Sequence, residues 1–174
     1  MERYVEMLSE KMVKALNEQL NAEYYSAYLY LSMSAYFESN NYPGFAKWMN
    51  VQFQEEQSHA EKLFRYINDR GAKVTLKEIK APPTEFESVM AVFEQTLIHE
   101  QSVTKSIDNL TELAISEKDH ASQTYLQWYV SEQIEEEKNV GDILGTLKRA
   151  GNAQQILFML DQQLGQRVFV EPTA

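Results

Sequence analysis

The chain has 174 residues, a length typical of one domain, and we treat residues 1–174 as a single domain. Hydrophobic residues make up 44% of it, enough for a core, which excludes a mainly disordered chain. Cysteine is absent and the formal net charge is −10, so disulfides and thiolate metal sites are excluded, and a nucleic-acid partner is not expected.

The first ten residues carry charges and lack the apolar segment of a secretory signal. No run of about 20 apolar residues follows anywhere in the chain, so no membrane partner is expected. The sequence therefore predicts a cytoplasmic protein.

Apolar residues recur every three or four positions between the few glycines and prolines, which is typical of amphipathic helices. Ser9 is the expected N-cap of the first helix, and Gly71 lies just past the second. Four long helices and a shorter fifth are predicted, over residues 9–38, 44–70, 86–116, 119–149 and 152–164. Long helices of this kind are typical of a four-helix bundle.

The predicted connections differ in length. Those after the first and third helices are short, so each of these two pairs of helices should form an antiparallel hairpin. Residues 72–85 can span roughly 46 Å at about 3.3 Å each, and Pro82-Pro83 favours an extended chain. Only 73–76 alternates as a strand would, and that segment is too short to matter. We predict an all-α bundle with one long crossover.

Polar residues interrupt the apolar stripe of each long helix near its middle. A residue at the midpoint of a helix keeps its level in the bundle whichever way the helix points, so these residues should converge in one layer. They are Glu23 on the first helix, Glu56 and His59 on the second, Glu100 on the third, and Gln133 and Glu136 on the fourth.

The negative charges of carboxylates in such a buried layer must be balanced. Each unpaired buried carboxylate costs several kcal/mol, and no lysine or arginine lies on the inward stripes near this level. Bound cations are one solution, and carboxylates with one imidazole suit Fe, Mn or Zn. Protonated carboxyls are the alternative. The low histidine count disfavours a zinc hydrolase, and the carboxylate layer argues against a purely structural bundle.

Four segments, 21–26, 55–59, 99–101 and 127–137, resemble the ferritins, in particular the non-haem ferritins of bacteria and archaea. The resemblance covers essentially the whole chain, including the fifth helix. It implies an iron-storage ferroxidase that oxidises Fe(II) with O2 or H2O2. It also implies that ferric mineral is deposited inside a hollow homo-oligomer of 24 subunits.

The resemblance implies roles for the residues of the layer. Glu23, Glu56 and His59 would hold one iron, and Glu56 would bridge to a second iron. Glu100 and Glu136 would complete that second site.

Further residues have roles that only the resemblance implies. Gln133 would lie beside the bound oxygen species. Tyr30, two turns after Glu23, would hydrogen-bond near the centre and supply an electron. Glu55, Glu132 and Glu135 match a third iron site found close by in prokaryotic members.

Two differences between this chain and the haem-binding bacterioferritins bear on its cofactors. Bacterioferritins repeat Glu-x-x-His on the fourth helix, where this chain reads Gln133-Ile134-Glu135-Glu136. They bind haem through a methionine directly after the bridging glutamate, where this chain has Gln57. We therefore expect iron without haem.

An alternative function is a di-iron oxidase that acts on an organic substrate as a monomer or dimer. It would need an apolar substrate pocket near the metals. The apolar segment 156–160 of the fifth helix favours a shell instead, because a lone bundle could not bury it well.

Overall fold

The computed structural model describes residues 8–151 and 153–171, in which five α-helices and no strand occur. The helices are α1 (Glu10–Ser39), α2 (Pro43–Asp69), α3 (Val89–Glu117), α4 (His120–Ala150) and α5 (Gln154–Leu164). The predicted all-α bundle with a short fifth helix is confirmed. Within these residues no helix is both long and apolar enough to cross a membrane.

Capping side chains set the helix starts. Ser9 caps α1 as predicted, and its hydroxyl accepts a bond from Met12 N at 3.0 Å. The predicted start of the third helix at residue 86 is three residues too early, because Ser88 is extended and caps α3. Asp119 is the cap of α4 rather than its first residue. The predicted start of the fifth helix, Asn152, lies outside the described residues.

Contacts at the ends of the bundle fix the helix directions. Ser9, at the start of α1, donates to Glu117 at the end of α3 at 2.5 Å, so these two helices are antiparallel. A short turn joins α1 to α2, and Ser34 donates to the Ala46 carbonyl at 2.8 Å across that hairpin. Because α2 and α3 both oppose α1, they point the same way, and the predicted long crossover is confirmed.

Two asparagines on α1 hold the crossover. Asn17 donates to the Lys73 carbonyl at 3.1 Å and accepts from Thr75 N at 2.6 Å. Asn21, one turn later, donates to the Thr75 carbonyl at 3.1 Å and accepts from Lys77 N at 2.7 Å. The two amides thus bond an extended chain as a neighbouring strand would, which explains the strand-like pattern at 73–76 without a sheet.

The core consists of two apolar clusters rather than one. The first surrounds Phe37, Phe45 and Phe93, and the second surrounds Leu16, Leu63 and Ile107. The polar residues of the predicted layer lie between the two clusters on all four long helices. The packing that holds the bundle is therefore concentrated on either side of its middle.

Helix α5 docks through one buried carboxylate. Asp161 Oδ1 accepts from Gly44 N and Phe45 N, each at 2.9 Å, and so caps α2 from another helix. Leu160 is buried within the chain itself, so the single bundle does bury part of the apolar segment 156–160. Phe158 and Met159 are 65% and 69% exposed.

This docking predicts that Gly44→Ala destabilises the protein. A Cβ on Gly44 would lie 1.6 Å from the Asp161 carbonyl oxygen, so α5 would have to move off its cap. We expect a loss of about 1–3 kcal/mol in the free energy of unfolding, measured by denaturant titration. Gly141→Ala is the control, because its added Cβ meets no atom within 4 Å and should stabilise α4 by about 0.5–1 kcal/mol. Equal stabilities for the two variants would contradict this docking.

Candidate metal centre

The six residues predicted to converge do meet in one layer between the two apolar clusters. All six are at most 4% exposed: Glu23, Glu56, His59, Glu100, Gln133 and Glu136. Each lies on the inward stripe of its helix, so the turn-by-turn spacing of the sequence explains the convergence.

Three of these residues form a compact ligand group. Glu23, Glu56 and His59 each offer one ligand atom, and these atoms lie within 4.8 Å of one another. Glu56 Oε2 and His59 Nε2 are buried without any hydrogen-bond partner in the described part of the chain. Glu56 Oε2 lies 3.4 Å from His59 Nδ1, and His59 Nε2 faces Glu132. Since buried polar atoms normally have hydrogen-bond partners, these two atoms fit a layer that takes up cations.

Glu100 is held from two sides. The Tyr30 hydroxyl donates to Glu100 Oε1, so this tyrosine lies against the layer. Gln133 Nε2 donates to Glu100 Oε2 at 3.1 Å, so this amide bonds a carboxylate of the layer. Burial and the charge of Glu100 raise the pKa of Tyr30 well above 10, so the phenol stays protonated and remains a donor.

Glu136 and Glu132 approach the same imidazole. One ligand atom each from His59, Glu132 and Glu136 also lies within 4.8 Å of the others. Glu132 Oε1 is 3.7 Å from His59 Nε2, too far for a hydrogen bond. Glu132 thus lies at the edge of the buried layer and is itself only partly buried.

The remaining predicted ligands lie just outside the layer. Glu55 and Glu135 line a cavity of about 460 Å³ that Glu132 also lines. Glu55 forms an ion pair with Arg167 at 2.6 Å, whereas Glu135 is exposed. The structure therefore separates the eight predicted ligands into a buried group and an outer acidic cavity, with Glu132 at the boundary of the two.

Burial raises the pKa of three carboxyls of the metal-free layer and so favours their protonated forms. It raises the pKa of Glu100 to about 7 and that of Glu136 to about 8, and that of Glu56 rises well above 4.5. Burial lowers the pKa of His59, but the charges of Glu56 and Glu23 outweigh it and raise that pKa well above 6.5. Cation binding must displace these protons, so it should release acid.

Two glutamines that we did not predict support the layer. Gln19 donates to Glu23 Oε1 at 2.8 Å, and its own carbonyl accepts from Ser106 at 2.5 Å. Gln52 donates to Glu136 Oε2 at 2.8 Å. Both glutamines lie on an inward stripe one turn before a glutamate of the layer. That spacing is the sequence feature from which their role could have been predicted.

His99 takes no part in the layer. Its Nε2 lies 2.8 Å from the Ser26 hydroxyl, on the side of α3 away from Glu100. Burial lowers the pKa of His99 to about 4, so the ring is neutral.

Comparison with known proteins agrees with this architecture. The family model described as Ferritin-like domain matches residues 13–150. The chain belongs to the ferritin family. Its curated relatives include the bacterial non-heme ferritin of Staphylococcus aureus (strain USA300), 39% identical over 165 residues, 95% of this chain and 99% of the relative. The bacterial non-heme ferritin of Staphylococcus epidermidis is 41% identical over 165 residues, again 95% of this chain and 99% of the relative.

Solved structures show the same fold. An open pore ferritin from the hyperthermophilic archaeon Archaeoglobus fulgidus is 50% identical with a TM-score of 0.92, covering 92% of this ferritin and 98% of that chain. A humanized archaeal ferritin is also 50% identical with a TM-score of 0.93, covering 94% and 99% of the two chains.

The raised pKa values predict how the metal-free protein responds to pH. Glu100 and Glu136 have higher pKa values when folded than the 4.5 of an exposed glutamate, so the folded state binds more protons. The free energy of unfolding should therefore fall as pH rises from about 5 to about 8, by an amount on the order of a few kcal/mol. Denaturant titrations of the metal-free protein at several pH values measure this slope.

The matched variants for this prediction are neighbours on α4. Glu136→Gln should flatten the slope because it removes one buried titrating carboxyl. Glu135→Gln changes an exposed side chain and should leave the slope unchanged. An unchanged slope in Glu136→Gln would contradict the raised pKa of Glu136.

Proposed function

We propose that this ferritin binds Fe(II) in the buried layer, oxidises it with O2 or H2O2 and stores the ferric product as mineral. The observation that carries the proposal is the pair of unpartnered buried ligand atoms, Glu56 Oε2 and His59 Nε2, within a four-carboxylate layer. Iron enters as the substrate and cargo of this chain. Membership of the ferritin family supports iron storage as the purpose of the oxidation.

The proposed first iron is held by Glu23, Glu56 and His59, and the second by Glu56, Glu100 and Glu136. Glu56 is the bridging candidate because it groups with Glu23 and His59 and is buried in the same layer as Glu100 and Glu136. In the proposed reaction two Fe(II) and one O2, with two protons, give two Fe(III) and one H2O2. The two irons supply one electron each, and the protein supplies position and negative charge.

Neighbouring residues position these ligands. Gln19 and Gln52 donate to Glu23 and Glu136 respectively, which fixes the orientation of both carboxylates. The Trp128 ring packs edge-on to His59 at 5.2 Å between centroids, and so shields the imidazole from water. We propose that Gln133 and the Tyr30 phenol, which both donate to Glu100, face the oxygen species.

We also propose a third iron site formed by Glu55, Glu132 and Glu135. The support is the acidic cavity that the three share and the position of Glu132 between that cavity and His59. Iron that leaves the buried layer would meet these carboxylates first. We propose no haem, because Gln57 follows the bridging glutamate where haem-binding relatives have methionine.

The proposed assembly is a homo-oligomeric shell of 24 subunits. Ile156, Phe158 and Met159 on α5 are 40–69% exposed in the single chain, which supports burial against other subunits. The alternative, an oxidase acting on an organic substrate, needs an apolar pocket at the metals. The cavity beside the layer has four glutamates among its lining residues instead, which disfavours that function.

The bridging role of Glu56 predicts the effect of its removal. Glu56→Ala should fold, with metal-free stability equal or higher, because one buried acid is removed. The initial rate of Fe(II) oxidation should fall at least about tenfold, the size of loss that even outer partners of metal sites cause. Stopped-flow absorbance measures the rate, and exposed Glu61→Ala on the same helix is the control. An undiminished rate would refute the assignment of Glu56.

The third site predicts a selective effect. Glu55→Gln combined with Glu132→Gln should keep the first fast oxidation of two irons per subunit, because the buried ligands are intact. Later turnover and the Fe:O2 ratio should change, as measured by oxygen consumption during successive iron additions. Loss of the first fast phase would show that Glu55 or Glu132 belongs to the main pair, and unchanged later turnover would mean both are ordinary solvated glutamates.

A further inference from the structure

The chain segment after α5 returns to the iron layer through one side chain. Arg167 Nη2 donates to Glu55 Oε2 at 2.6 Å and Nη1 donates to Gln52 Oε1 at 2.5 Å. The guanidinium carbon also lies 4.6 Å above the Trp48 ring. All three partners lie on one face of α2, at spacings of four and three residues, so the fork of Arg167 spans a full turn of that helix.

The contact with Gln52 reaches the buried layer. Arg167 can only donate hydrogen bonds, so it fixes the Gln52 carbonyl towards itself. The amide nitrogen of Gln52 then points inward and donates to Glu136 Oε2 at 2.8 Å. Arg167 therefore orients a proposed iron ligand through one buried amide.

Arg167 also balances the charge of the outer cavity. Among the described residues that line this cavity, four are glutamates, namely Glu55, Glu132, Glu135 and Glu171, and Arg167 is the one cation. Burial raises the pKa of Glu55, and the charge of Arg167 is the strongest influence opposing that rise. A metal ion that takes Glu55 as a ligand must compete with the guanidinium for the same oxygens.

We propose that Arg167 is an internal counter-ion that occupies Glu55 while the third site is empty and yields it when a divalent cation binds. The segment 165–171 then acts as a latch, docked when the site is empty and released when it is filled. This inference rests on the proposed third site. The coupling is reciprocal, so removing the charge of Arg167 should tighten cation binding by the same factor by which the cation loosens the segment.

The test uses the full-length, iron-free assembly and Zn²⁺, which is not redox-active, as the probe. Calorimetry resolves the successive Zn²⁺ binding steps, and we assign the weakest step to the third site. The Zn²⁺ affinity of that step should rise roughly tenfold in Arg167→Gln. Arg167→Lys keeps a cation beside Glu55 and should restore most of the wild-type affinity. Arg65→Gln removes an equal charge from a surface pair on α2 and should change nothing.

A second measurement follows the segment itself. The chain has no cysteine, so Val170→Cys, at a position 74% exposed, accepts a nitroxide label at one place only. The spectrum should show a restrained label in the metal-free protein and a mobile one once the third Zn²⁺ binds. With Arg167→Gln added, the label should be mobile from the start.

The outcomes separate the two ideas. If Glu55→Gln with Glu132→Gln still binds the third Zn²⁺, the third site is wrongly assigned and the latch falls with it. If that variant loses the third step but Arg167→Gln binds it with wild-type affinity, the third site stands and the latch is overturned. A segment that loosens in Arg167→Gln without any change in Zn²⁺ affinity would show a purely structural arginine and would also overturn the latch.

Discussion

The structure depends on a layer of carboxyl groups buried in the middle of a helix bundle. Each charge in such a place is unfavourable by several kcal/mol unless a proton or a cation balances it. The metal-free chain uses protons, since burial raises the pKa of Glu100 and Glu136 to about 7 and 8. The layer is thus stable when empty and still offers ligands to an ion that displaces the protons. A hydrophobic core at the same level would be more stable and could bind no iron.

The rest of the fold compensates for that layer. Apolar packing is divided into two clusters, one on each side, so each half of the bundle has its own core. The elements that do not belong to the four long helices pack some apolar side chains against these clusters and are also fixed by polar side chains. Asn17 and Asn21 hold the crossover, and Asp161 fixes α5 to the start of α2. These contacts are specific in direction, which apolar packing is not, and they place chain segments whose own sequences carry weak structural signals.

This division explains which features the sequence alone could predict. Helix spans and the level of the six layer residues follow from periodicity and midpoint positions, because both are local properties of a helix. The start of α3 was predicted early, because apolar Phe86 extended the helical pattern past the capping Ser88. The orientations of Gln19 and Gln52 depend on partners in the fold, although their spacing hinted at a role. Arg167 gave no signal, since its partner Glu55 lies 112 positions away in the chain.

The buried layer and the outer cavity solve the same electrostatic problem with different counter-charges. Inside, burial favours the protonated forms of Glu100 and Glu136, and the imidazole of His59 lies beside Glu56. At the rim, where Glu55 is partly exposed, the guanidinium of Arg167 reaches from another segment and balances the charge. A proton can leave a closed layer without any backbone movement, so the inner site can fill while the bundle stays packed. An arginine must swing its long side chain aside to release a carboxylate, and the room for that is found at the surface. The position of each counter-charge is therefore set by how much room the surrounding structure has to release it.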